Sequence, residues 1–234
     1  MPLRVPPWPY LLDVVATALP TLAAWRAGTL SWRDRSGRVG IAWGVLFVCG
    51  LVQLAAFMTR NGGMVTAGGM AYALLAPAVL VPALLALVGG PPQRWSAALA
   101  AVLVLWGVAA MLAIGTGRRI TFVYSTPVHF VLLALSIVAL GAQGRRAADP
   151  LSRDAEPGWV WIGVGHVVYF LTYTIGRALV ELVVPQGRAA QLNAHFATLI
   201  IYAFAMAAIA WGIWMGRARR PAPPPRGTPL PTAG

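Results

Sequence analysis

Long apolar runs, separated by short polar segments, occupy most of the chain between residues 9 and 216. A helix that crosses about 30 Å of hydrocarbon needs roughly 20 mainly apolar residues. The runs lack the alternation of apolar and polar residues that is typical of strands. They therefore predict an all-α membrane protein with a bundle of seven transmembrane helices in residues 1–216. The predicted spans are 9–26, 39–59, 64–89, 95–115, 120–142, 158–185 and 190–216.

The sixth predicted span carries a polar stripe. Its members follow one another at steps of three, four, four and four, which places them on one face of a helix: His166, Tyr169, Tyr173, Arg177 and Glu181. Ionisable groups are costly in hydrocarbon and usually face the interior of a bundle, a partner or a watery cavity. The stripe therefore indicates where a functional site should lie.

Composition and charge support the membrane assignment and orient the chain. Hydrophobic residues make up 59% of the chain and charged residues 10%, against about 25% charged in soluble domains. Arg177 lies within a span; of the other arginines, five lie on one side of the membrane and twelve on the other. The positive-inside rule makes the second side cytoplasmic, with the N-terminus outside and the C-terminus inside. We expect a multi-pass protein of the bacterial inner membrane whose net charge of +12 meets lipid headgroups rather than nucleic acid.

A cleaved signal peptide is the alternative interpretation of the first span. Cleavage would leave the loop with Arg33, Arg35 and Arg38 outside, against the positive-inside rule. A retained first helix is therefore favoured.

A helix rises about 1.5 Å per residue, so the position of a residue in an oriented span gives its depth in the membrane. By this measure, polar residues of several helices lie in the outer half of the membrane. We predict an outward-opening pocket, walled mainly by the first, fifth, sixth and seventh spans. The candidate ligand-binding residues are Asp13, Asn61, His129, Tyr173, Arg177, Glu181, Asn193 and His195. A purely structural network stays open as the alternative, because Arg177 and Glu181 are four residues apart and can pair along the helix.

Several chemistries can be excluded or weighed. A retinal Schiff base needs a lysine amine, and the chain has no lysine. Haem or zinc could use His129 and His195, but neither a second histidine pair nor an HExxH motif supports them. The cofactor therefore stays unknown. Hydrolase, phosphate-loop and dinucleotide motifs are missing from the sequence, so no catalytic residue is predicted and an enzyme is disfavoured.

The segment 217–234 is rich in proline and arginine and is predicted to be a disordered cytoplasmic tail. Since no output module is recognised, the favoured function is sensing or ligand binding through a partner chain, or a role as an accessory subunit of a membrane complex. A homo-oligomer is also open. The second hypothesis is a small-solute or proton-coupled transporter, and the third is a haem- or metal-binding membrane protein.

Three short stretches of the sequence are similar to other proteins. They are Asn61 after the second span, Trp159 and Trp161 before Tyr169 and Phe170, and Asn193 with His195 at the start of the seventh span. In these features the chain resembles a group of uncharacterised bacterial seven-helix membrane proteins. The group often has histidine and glutamate near the start of its third helix, where this chain has neither. The resemblance implies a fold and a bacterial source, and it implies no activity.

Overall fold

A computed structural model describes residues 8–59, 62–89, 93–114, 118–149, 158–183 and 187–218. Within these ranges the chain is helical and contains no strand, which confirms the all-α prediction. The helices are α1 (Trp8–Arg26), α2 (Arg35–Met58), α3 (Gly62–Val88), α4 (Gln93–Ile114), α5 (Arg118–Ala148), α6 (Trp159–Val183) and α7 (Arg188–Ala218).

Six helices contain a segment that is long and apolar enough to cross a membrane. These segments are Arg35–Met58, Met70–Val88, Arg94–Leu112, Thr126–Ala148, Trp159–Gly176 and Phe196–Gly216. Large apolar side chains such as Leu105, Leu112 and Phe204 face outward from the bundle, as expected for a surface in contact with lipid. The chain is therefore a multi-pass membrane protein. The 19-residue α1, which matches the first predicted span, is not among the six.

Helix α5 is longer than predicted, because it continues to Ala148 instead of ending near residue 142. The extra turns carry Gln143 and Arg146, whose side chains both donate to the carbonyl of Leu87 at the end of α3. Arg146 also donates to the carbonyl of Val88. The last carbonyls of a helix lack partners within the helix, so these contacts cap α3 and hold the end of α5 against it.

Contacts between neighbours arrange six helices in a closed ring, in the order α1, α2, α3, α5, α6, α7 and back to α1. Helix α4 packs outside this ring against α3 and α5. Helix α6 has no comparable backbone contact with α2 or α3 among the described residues. Side chains that join α6 to those helices must therefore cross the middle of the ring.

Each helix runs opposite to the one before it, so the helix ends fall into two groups. One group contains the α1–α2 loop (27–34), the last residues of α3, α5 and α7, and the first residues of α4 and α6. Arg146 lies against Gly89 there, and Gly158 lies against Gly212. We call this side of the bundle the basic end, because it is the side to which the sequence assigns most loop arginines, and the opposite side the far end.

Helices α6 and α7 approach closely through small residues. A methyl group added at Gly165 would lie 2.7 Å from the carbonyl oxygen of Ala205 and 3.1 Å from the backbone nitrogen of Ile209. Small residues let helix backbones approach one another in membranes, where packing replaces the hydrophobic driving force. Gly165 thus helps to set the distance between the two helices.

We predict that Gly165→Ala lowers the free energy of unfolding by about 1–3 kcal/mol, because the added methyl group displaces the backbone of α7. Gly141→Ala is the matched control, since its methyl group would meet only Arg145 at 3.9 Å. Alanine is the better helix former, so the control should be neutral or up to about 1 kcal/mol more stable. Chemical unfolding in detergent, followed by circular dichroism, measures both; equal stability would contradict the proposed close packing.

Candidate functional site

Aromatic side chains from five helices fill the middle of the ring. We call this group the central aromatic cluster; its members are Trp43 of α2, Tyr72 of α3, His129 of α5, His166, Tyr169, Phe170 and Tyr173 of α6, and Tyr202 of α7. Helical spacing explains why α6 supplies half of it, because residues three and four apart share a face. The polar stripe of α6 therefore points into the protein at these positions.

His166 anchors the side of the cluster toward the basic end and is fully buried. Its Nδ1 lies 2.7 Å from the carbonyl oxygen of Ile162, and its Nε2 lies 3.1 Å from the indole Nε1 of Trp43. An indole N–H can only donate, so Nε2 accepts and Nδ1 carries the proton. Both nitrogens of a neutral imidazole are used, which makes His166 a structural link between α6 and α2.

Tyr169, one turn further along α6, makes the next connection across the ring. Its hydroxyl lies 3.0 Å from that of Tyr72 on α3. Its ring meets Trp43 edge to face, with 5.0 Å between ring centroids, and packs against Tyr202 at 4.9 Å. One of the two hydroxyls donates to the other, which lowers the cost of placing them inside the bundle, where an unpaired hydroxyl would be costly.

His129 and Tyr173 form the part of the cluster nearest the far end. Their rings stack with centroids 3.8 Å apart and planes 6° from parallel. Tyr202 lies beside Tyr173 at 6.2 Å, again nearly parallel. Phe170 packs between the two histidines, at 6.0 Å from His129 and 6.2 Å from His166. The cluster is therefore continuous from Trp43 to the stacked pair.

The predicted site residues have different outcomes. His129 and Tyr173 are brought together. Asp13 is half-buried on α1. Asn193 is exposed near the start of α7.

The side chains of the remaining predicted residues lie outside the described part of the structure. Asn61 is outside the described residues, and for Arg177, Glu181 and His195 only the helical backbone is described. The proposed meeting of Arg177 and Glu181 with Asp13 stays a prediction, and so does the outward-opening pocket.

Sequence reasoning missed Trp43 and Tyr72, whose side chains bond to His166 and Tyr169 across the ring. A usable signal existed: both residues lie well inside their helices, away from the interfacial belt where tryptophan and tyrosine are usually found.

Metal binding has no support among the described side chains, where no group of three or more His, Cys, Asp or Glu residues could hold an ion. The side chain of His195 is outside that set, so a site at His129 and His195 is untested. A cavity of about 400 Å³ lies at the basic end, away from the predicted pocket.

No protein-family profile, curated protein or solved structure matches the chain. The function must therefore be inferred from the residues and their geometry.

We predict that Trp43→Phe lowers the free energy of unfolding by about 1–3 kcal/mol, because it leaves the buried Nε2 of His166 without a donor. Trp106→Phe is the matched control, since Trp106 is 48% exposed on α4, and its effect should stay within about 0.5 kcal/mol. Unfolding in detergent measures both.

The double variant Trp43→Phe/His166→Leu separates a lost hydrogen bond from lost packing. Replacing both partners by apolar groups removes the unsatisfied acceptor, so stability should partly recover. A double variant no more stable than Trp43→Phe would show that the hydrogen bond has little energetic importance.

Proposed function

We propose that the chain is a non-enzymatic binding protein of the bacterial inner membrane. It crosses the membrane seven times and binds a small polar or anionic solute on the far-end side of the central aromatic cluster. It passes the bound state to a partner chain, as a sensor or as an accessory subunit of a membrane complex. The far end faces outward in this proposal, as the distribution of loop arginines predicts.

The stacked pair of His129 and Tyr173 is the observation that carries the proposal. The nitrogen atoms of an imidazole lie on the edge of its ring, where they can donate to or accept from a polar ligand. Positions 177 and 181 follow Tyr173 along α6 by one and two helical turns. An arginine there suits an anionic group, and an arginine or a histidine in a membrane protein commonly marks a ligand or ion path.

Coupling to a partner is supported by the way the cluster connects the helices. Side chains of α2, α3, α5 and α7 all contact the same face of α6. Packed interiors respond to a local change by shifting whole elements rather than by deforming smoothly. A ligand that displaces Tyr173 would therefore move α6 relative to its neighbours.

Transport is the second candidate. Asp13 is a half-buried carboxyl group on α1, one of the helices of the closed ring. A carboxyl group within a membrane-spanning bundle is a common part of the proton path of membrane transporters.

Reporter fusions test the topology. A fluorescent protein fused after Gly234 should be fluorescent in the cytoplasm, and alkaline phosphatase fused near Asn61 or Gln186 should be active outside. Phosphatase fused before Trp8 decides whether α1 crosses: activity supports seven spans, and inactivity there with activity at Asn61 would reduce the number to six. Fusions in the α1–α2 loop are the inactive control.

Ligand binding can be tested on protein extracted with its native lipids by a styrene–maleic acid polymer. Bound small molecules and protein partners are identified by mass spectrometry. His129→Asn and Tyr173→Leu should reduce occupancy of a bound solute by about tenfold or more, because each removes a polar contact or the stacked platform. Trp106→Phe should leave it unchanged, and circular dichroism verifies folding.

Three outcomes would contradict the binding proposal. A solute retained equally by all variants would place its site elsewhere. Recovery of neither solute nor partner with the wild type would remove the support for a sensor or subunit. Uptake by proteoliposomes that needs Asp13, without a bound partner, would establish the transport alternative.

A further inference from the structure

The cavity at the basic end lies between the α1–α2 loop, the end of α3 and the start of α4. Three arginines line it, namely Arg33, Arg35 and Arg38, together with Trp32. Its other walls are formed by Pro82 and Leu85 of α3 and by Ser96 of α4, among others. No carboxylate lines the cavity within the described part of the chain. A volume of about 400 Å³ is in the usual range for small-molecule sites.

Arg38 is held in place by Trp32. Its Nε donates to the backbone carbonyl of Trp32 at 2.5 Å, and its guanidinium carbon lies 5.8 Å from the centroid of the indole ring. A guanidinium over an aromatic face gains a cation–π attraction. These contacts fix the orientation of Arg38 before any ligand arrives, which lowers the entropic cost of binding.

Helix ends add to the positive potential of the cavity. Arg35 is the first residue of α2 and Ser96 lies in the first turn of α4, so two helices begin at the cavity. Each helix N-terminus carries about half a positive charge, although the N-cap residue of α2 is the acidic Asp34. The negative end of α3 is also present, but its carbonyls at Leu87 and Val88 accept from Gln143 and Arg146. The guanidinium of Arg146 lies against Gly89, another lining residue.

We propose that this cavity binds a phosphate-bearing ligand, with the phosphate among Arg33, Arg35 and Arg38 and the less polar part against α3. Arginine pairs with phosphate through two parallel hydrogen bonds, and helix N-termini stabilise the same anion. Because the cavity lies where membrane-spanning helices end, the phosphate can come from the headgroup of an anionic phospholipid or from a soluble phosphate ester. This site is independent of the ligand proposed at the far end.

Native mass spectrometry of the full chain in a neutral detergent tests the site. The probes are short-chain phosphatidylglycerol and glycerol phosphate. Phosphatidylglycerol that binds while glycerol phosphate does not identifies a lipid headgroup as the source; equal binding of both identifies a soluble phosphate ester. Either result supports a phosphate site, provided that it depends on the lining arginines.

Variants establish that dependence. Arg38→Gln and Arg33→Gln should each weaken binding by about tenfold or more, as expected when a charged hydrogen bond is lost. Arg145→Gln is the matched control, because Arg145 is exposed at the same end of the bundle and does not line the cavity. It should bind like the wild type. Two variants are included so that a misfolded Arg38→Gln, detected by circular dichroism, still leaves Arg33→Gln as a test.

Two results would overturn the proposal. Equal losses in Arg33→Gln, Arg38→Gln and Arg145→Gln would mean that the basic end attracts phosphate only through its overall charge. Failure of both probes to bind the wild type would mean that the cavity does not recognise phosphate.

Discussion

Polar groups inside a membrane-embedded bundle must satisfy one another, because the surrounding hydrocarbon offers no hydrogen bonds. The bond between Trp43 and His166 is the clearest instance. It uses the only donor of the indole and the only acceptor of the neutral imidazole, while the second imidazole nitrogen donates to Ile162. This arrangement ties α2 to α6 across the ring although their backbones are not in contact. The Tyr72–Tyr169 pair ties α3 to α6 by the same logic.

Aromatic rings suit such an interior, because each combines a large apolar body with a polar tip. A ring of six helices leaves a central space too wide for small side chains to close. Tryptophan, tyrosine and histidine fill it from several directions and leave their polar atoms facing partners. Where helices are adjacent, as with α6 and α7, glycine replaces the large side chain and the backbones come together. Large aromatic rings in the centre and small residues between neighbouring helices together give the bundle its shape.

The two ends of the bundle differ in their electrostatics. At the basic end, arginines, two helix N-termini and capped α3 carbonyls surround one cavity. Toward the far end, the cluster finishes in the stacked rings of His129 and Tyr173. A protein with such an asymmetry can bind different ligands on its two sides. The proposed binding function and the proposed phosphate site rest on separate parts of this structure.

The pattern of hydrophobic and polar residues determined the fold class, the approximate positions of the helices and the shared face of α6 that carries His166, Tyr169 and Tyr173. These properties are local, since they depend on run length and on the helical period. The partners of that face depend on which helices become neighbours, and no local signal encodes this. Tertiary packing therefore decided that Trp43 meets His166, that Tyr72 reaches Tyr169, that α5 continues to cap α3, and that a cavity forms beside Arg38.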